Sequence, residues 1–109
     1  MSRKINMQFI ESETLELKKS TSEIKEAIIS IVSILNKHQH GELFFGIKNN
    51  GAVTGQNITE KTIRDVSKSI ADHNEPKIYP HINRLVIDGK TCIKVRFKGN
   101  DIPCFQRRC

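Results

Sequence analysis

Apolar and polar residues alternate with period two at Leu15-Glu16-Leu17-Lys18, which predicts a short strand. Parity then sets Leu15 and Leu17 on the core face and Glu16 with Lys18 on the outer one. Ser20, Thr21 and Ser22 offer N-caps, and Ser20 with Glu23 has capping-box spacing. Beyond them Ile24, Ile28, Ile31, Val32 and Leu35 recur at helical spacing, predicting a helix to about Leu35 or Lys37. Lys37-His38-Gln39-His40-Gly41 ends it.

Glu42 to Ile47 is apolar on both faces and predicts a central strand. Asn49-Asn50-Gly51 reads as a turn, because Asn and Gly tolerate positive φ, and Val53-Thr54-Gly55 as a short returning strand. Thr59 caps a second helix whose stripe is Ile63, Val66 and Ile70, with Lys61, Arg64 and Lys68 outside. Pro76 and Pro80 mark the loop after it. Ile82–Ile87 and Thr91–Phe97 flank Asp88-Gly89 as a hairpin, with Lys90 at the turn's margin. After Gly99 the periodicity stops, and residues 100–109 show no periodic partner. The reading is an α+β domain, a single mixed sheet with two helices packed on one face, in the order β-α-β-β-α-β-β.

At 109 residues the chain has room for one domain, taken as residues 1–109. With 37% hydrophobic and 28% charged residues it is neither disordered nor fibrous. No apolar run is long enough for a membrane span and no signal-peptide pattern follows Ser2-Arg3-Lys4, so a cytoplasmic protein without a membrane partner is the expectation. Cys92, Cys104 and Cys109 are odd in number and lack zinc-site spacing, which predicts plain thiols.

Charge changes the picture more. Residues 1–89 carry 12 basic and 11 acidic side chains, whereas residues 90–109 carry six basic residues against Asp101 alone. In the last strand Ile93, Val95 and Phe97 face the core. Lys94, Arg96 and Lys98 then form a cationic ladder with residues about 6.6 Å apart, able to track a phosphate backbone. An edge hairpin kept soluble by charge has the same pattern. One Tyr and five Phe, several of them core positions, do not predict a base-stacking platform. Glu11, Glu13 and Glu16 are candidates for a hard-cation site, although three acids in this spacing also suit a solvated edge. Lys18 beside Glu16 can orient a phosphate or neutralise its neighbour. Gly46, Gly51 and Gly55 fit neither a Walker A loop nor a dinucleotide fingerprint, and backbone geometry is their expected role ahead of phosphate cradling. His38, His40, His73 and His81 form no motif.

In series, several pieces resemble the Schlafen AlbA-type domain, formerly grouped as a divergent AAA family. They are Glu11-Ser12, Glu16-Leu17-Lys18, Gly41-Glu42-Leu43-Phe44-Phe45-Gly46-Ile47, Asn50-Gly51, Val53-Thr54-Gly55 and Glu75-Pro76-Lys77-Ile78-Tyr79-Pro80. The resemblance runs from about Phe9 to Pro103. It implies a DNA-binding domain found N-terminal in larger bacterial or archaeal proteins that look like transcriptional regulators and are often labelled helicase-related or ATP-binding. Animal relatives with endoribonuclease activity use three carboxylates. Two match Glu11 and Glu16, while the third position, just after the Phe-Gly strand, holds Asn49, an amide that adds no charge. The family's sheet continues with a Gly-Arg-containing strand, so this chain is expected to be an N-terminal portion of a longer protein.

Four readings follow. The first is a DNA- or RNA-binding module of a larger regulator, acting through Lys94, Arg96 and Lys98 with help from Lys18 and requiring no cofactor. A ribonuclease with Mg²⁺ or Mn²⁺ on Glu11 and Glu16, with Lys18 and Asn49 beside them, is the second. The third binds ATP around Gly46, Gly51 and Gly55. The fourth is an assembly domain that forms homodimers or docks on a downstream domain of the same chain.

Overall fold

The computed structural model describes residues 9–75, 78–99 and 105–106. Strand β1 (Leu15–Lys18) leads through a 3₁₀ turn (Thr21–Glu23) into helix α1 (Ile24–His38), and strand β2 (His40–Phe45) follows. After a long loop come helix α2 (Glu60–Asp72), strand β3 (Asn74–Glu75), the hairpin β4 (His81–Ile87) and β5 (Lys90–Lys98), and the short strand β6 (Phe105–Gln106). The main sheet has the order β1-β2-β5-β4. β1 runs parallel to β2, as a β-α-β crossover requires, and the other pairings are antiparallel. The sheet is mixed and the architecture α+β, as the periodicities predict.

α1 buries Ala27, Ile28, Ile31, Ile34 and Leu35, and it closes at Gln39 in the left-handed region (φ 68°) with its N–H on the Leu35 carbonyl. Its start differs from the expected capping box. The Ser20 hydroxyl accepts from the Ser22 amide, and the Glu23 carboxylate reaches back to the Lys19 amide, so both cap the 3₁₀ turn. At α2 the expected cap is present, with Thr59 and Thr62 exchanging hydrogen bonds, and Val66 and Ile70 are buried. Both helices pack on one face of the sheet against Leu43 and Phe45 of β2 and Ile93, Val95 and Phe97 of β5.

The opposite face carries a smaller cluster, Phe9, Leu17, Phe44, Ile47 and Cys92, with the Phe9 and Phe44 rings edge to face at 5.4 Å. This placement corrects the reading of β1. Register sets Leu17 beside Phe44, and Glu16 and Lys18 beside Leu43 and Phe45. The two leucines therefore face away from the helices, and Glu16 and Lys18 lie on the helix side. Alternation within a strand gives the parity, but only the neighbouring strand decides which face is which.

Two other expectations change. Val53 makes a single bridge to Ile47 in place of a strand, because Gly46, Gly51 and Gly55 all take positive φ and curl the segment back on itself. Phe105–Gln106, from the stretch read as unpartnered, pairs antiparallel with Asn74–Glu75. Asp88 and Gly89 (φ 53° and 76°) make the two-residue hairpin turn, and Lys90 pairs with Ile87 as part of β5. Burial pushes the Cys92 thiol above its usual range, consistent with a packing role. Cys104, Cys109, Pro76, Arg107 and Arg108 lie outside the described residues. Among the described residues no helix is long and apolar enough to cross a membrane.

Candidate functional site

Three strands bring charged side chains to one end of the helix-free face. β5 contributes Lys94, Arg96 and Lys98, on the side opposite its buried Ile93, Val95 and Phe97. The antiparallel register places His40 and Glu42 of β2 across from Lys98 and Arg96, and His81 of β4 on the other flank of Arg96. A depression of about 500 Å³ is lined there by His40, Glu42, Tyr79, His81, Arg96 and Lys98.

The three cations are unequal. Lys94 Nζ is 3.5 Å from Glu42 Oε2 and lies 5.9 Å from the centroid of the Phe44 ring, so its charge is partly answered within the fold. Arg96 and Lys98 are exposed and have no ion-pair partner among the described residues. Lys18 does not join them, because it points to the other side of the sheet, where it pairs with Glu16 at 3.4 Å.

The acids gather on that other side. Glu11 Oε2 accepts from the Leu17 amide at 3.1 Å, which holds its carboxylate against β1. Glu16 is raised above the usual carboxylate range by burial first and by the charge of Glu11 second, with Lys18 pulling the other way. Glu13 Oε1 is 3.0 Å from His38 Nε2 without the alignment of a hydrogen bond. Glu13, Glu16, Ser30, Ser33 and His38 line a depression of about 460 Å³ between β1 and α1. Asn49 lines a different depression, with Lys19, Glu23, Lys48 and Asn50. Among the described residues no three His, Cys, Asp or Glu side chains gather as a metal site would need. Glu11 and Glu16 are thus adjacent but short of a three-carboxylate centre, and one Glu11 oxygen is already engaged.

The glycine segment offers little to a phosphate. The Gly46 amide donates to the Lys18 carbonyl, the Gly51 amide to Lys48 and the Gly55 amide to Gly46, at 2.8, 2.8 and 2.9 Å. The N–H groups of a phosphate cradle are spent inside the fold.

Sequence reasoning missed His40, His81 and Tyr79. The histidines carry no motif, and register alone sets them beside Lys98 and Arg96. Tyr79 had a signal, as the chain's sole tyrosine lodged between Pro76 and Pro80.

Two solved structures share this fold at a TM-score of 0.69. One, of a protein from Corynebacterium diphtheriae, is 12% identical over 86% of this chain, which spans 19% of that chain's length. The other is the N-terminal domain of a RecG-related protein from Nitrosomonas europaea, 17% identical over 95% of this chain and 78% of that one. At these identities the likeness is one of fold. No curated protein matches the sequence. The family model described as Schlafen, AlbA_2 matches residues 11–107. With nearly its whole length matched, the chain belongs to the Schlafen AlbA_2 family.

Proposed function

We propose that this domain binds nucleic acid through the basic end of its helix-free sheet face, as one module of a larger regulator. The observation that carries this reading is the pair Arg96 and Lys98, two exposed cations two residues apart on β5 without a carboxylate partner among the described residues. Such a pair suits two successive phosphates, with Lys94 in a lesser part because Glu42 shares its charge. The Nitrosomonas structure, which shares the fold, is named for its relation to a DNA helicase, in keeping with a nucleic-acid setting, and is the N-terminal domain of a longer protein, in keeping with a modular one. The test is a salt series of oligonucleotide binding. Log affinity falls linearly with log salt at a slope of about −1 to −2 for two phosphate contacts, and Arg96→Glu with Lys98→Glu abolishes binding. Salt-independent binding, or full affinity in the double variant, overturns the proposal.

A second reading, a metal-dependent ribonuclease, is favoured by the adjacency of Glu11 and Glu16, since a cation would relieve the repulsion that helps raise Glu16. On this reading Mn²⁺ raises Tm in the wild type and fails to do so in Glu16→Gln. No Mn²⁺-dependent shift in Tm rejects it.

A further inference from the structure

Tyr79 is 77% exposed, on the rim of the depression that holds Arg96, Lys98, His40 and His81. The other described aromatics for which exposure is defined, Phe9, Phe44, Phe45 and Phe97, are buried. The backbone at Tyr79 is also restrained. Ile78 before it is buried in the main core, and Pro80 after it restricts the backbone. A tyrosine whose backbone is restrained on both sides has only its two side-chain torsions to lose when a flat partner lies on its ring.

The shape of this face narrows the ligand. Both helices lie on the other side of the sheet, so this face has no helix to enter a major groove. It offers a shallow sheet end with two phosphate-binding cations on one strand and an aromatic ring beside them. This is the combination by which proteins hold an unpaired strand, because a base in a duplex does not present its face to a side chain.

We propose that the basic end selects single-stranded nucleic acid, with Tyr79 stacking on one unpaired base while Arg96 and Lys98 hold the adjacent phosphates. The proposal rests on the nucleic-acid reading above and names its substrate class. With one Tyr and no Trp in the chain, the intrinsic emission of the protein reports on this ring alone.

The experiment titrates the full chain at low salt with a labelled single strand and with a duplex of the same sequence, following anisotropy and tyrosine emission. The single strand binds more tightly and quenches the tyrosine. Tyr79→Ala lowers its affinity about tenfold and leaves the duplex unchanged, and Tyr79→Phe keeps most of the affinity. Equal affinity for strand and duplex, or no loss in Tyr79→Ala, overturns the single-strand assignment. If Arg96→Glu still weakens both ligands in that case, the nucleic-acid reading stands without it. If the wild type binds neither ligand, both proposals fall.

Discussion

The Glu11 carboxylate accepts a hydrogen bond from the Leu17 amide at 3.1 Å, on the side of β1 turned away from β2. The Glu42 amide of β2 takes the carbonyl of Thr14 and the Gly46 amide just after β2 that of Lys18, so the alternate amides of β1 point outward. Ser12 covers the Leu15 carbonyl, and Glu23 covers the Lys19 amide at 3.1 Å. A strand edge that would otherwise offer these groups to another chain is thereby covered at the Leu15 carbonyl and the Leu17 and Lys19 amides by local side chains and backbone. Glu11→Ala is expected to cost about 1 kcal/mol and to speed hydrogen exchange at the Leu17 amide, whereas Glu11→Gln keeps an acceptor and most of the stability. Denaturant unfolding and amide exchange check this. Unchanged exchange at Leu17 in the alanine variant would remove the edge-closing role. Activity assays on Glu11 variants should use the glutamine, so that loss of charge is separated from loss of the bond.

Glu16 carries a pH signature. Its folded-state carboxyl is raised above its ordinary value, chiefly by burial and then by Glu11, so the folded chain holds this proton more tightly than the unfolded chain. The cost of a charged Glu16 is absent at pH values below the unfolded pKa and complete above the folded one. Glu16→Gln should therefore gain in Tm relative to wild type as pH rises through that window, then level off. Melting curves of both proteins across the acid range decide the sign. A difference that shrinks as pH rises would mean that the Lys18 pair outweighs burial.

Lys94 and Arg96 look equivalent in sequence and should differ in use. With Glu42 answering Lys94, Lys94→Ala is expected to weaken oligonucleotide binding only about threefold, against about tenfold for Arg96→Ala. Glu42→Gln should strengthen binding by releasing Lys94. Equal losses at the two positions, measured at one low salt concentration, would count against the pairing.

Gly41 is a packing requirement. A Cβ there would sit 2.7 Å from Ile34 Cγ2 and 2.8 Å from the Phe97 ring, where helix, strand and core meet. Gly41→Ala should cost about 1–3 kcal/mol by overpacking, and Phe97→Leu in the same chain should recover part of it. A neutral Gly41→Ala in urea unfolding would contradict the close contact.

Elements whose signal is local were legible in the sequence. Thr59 caps α2, Asp88-Gly89 turns the hairpin, and the stripe through Ile28, Ile31 and Leu35 builds the core, because each needs only neighbours within a few residues. Features set by distant partners were not legible. Leu17 faces Phe44 only through the pairing of β1 with β2, and the same pairing carries Lys18 away from Lys94, Arg96 and Lys98. His81 meets Arg96 within the β4–β5 hairpin, where the two-residue turn already sets the pairing, whereas His40 meets Lys98 only through the register of β2 with β5, far apart in sequence. The short pairing of Phe105–Gln106 with Asn74–Glu75 is of the same kind. In the candidate site the cationic ladder was readable from alternation, while its neutralised member, its His40 flank and its exposed ring required the fold.

That Glu16 and Arg96 occupy opposite faces of one sheet has a consequence for ligand length. From β5 to the β1 edge is two strand spacings, about 10 Å, and the path to Glu16 must then round that edge. A few nucleotides can fill the basic end and never meet the carboxylates. Only a longer or folded strand can touch both, so titrating oligonucleotide length separates occupancy of one face from engagement of the other.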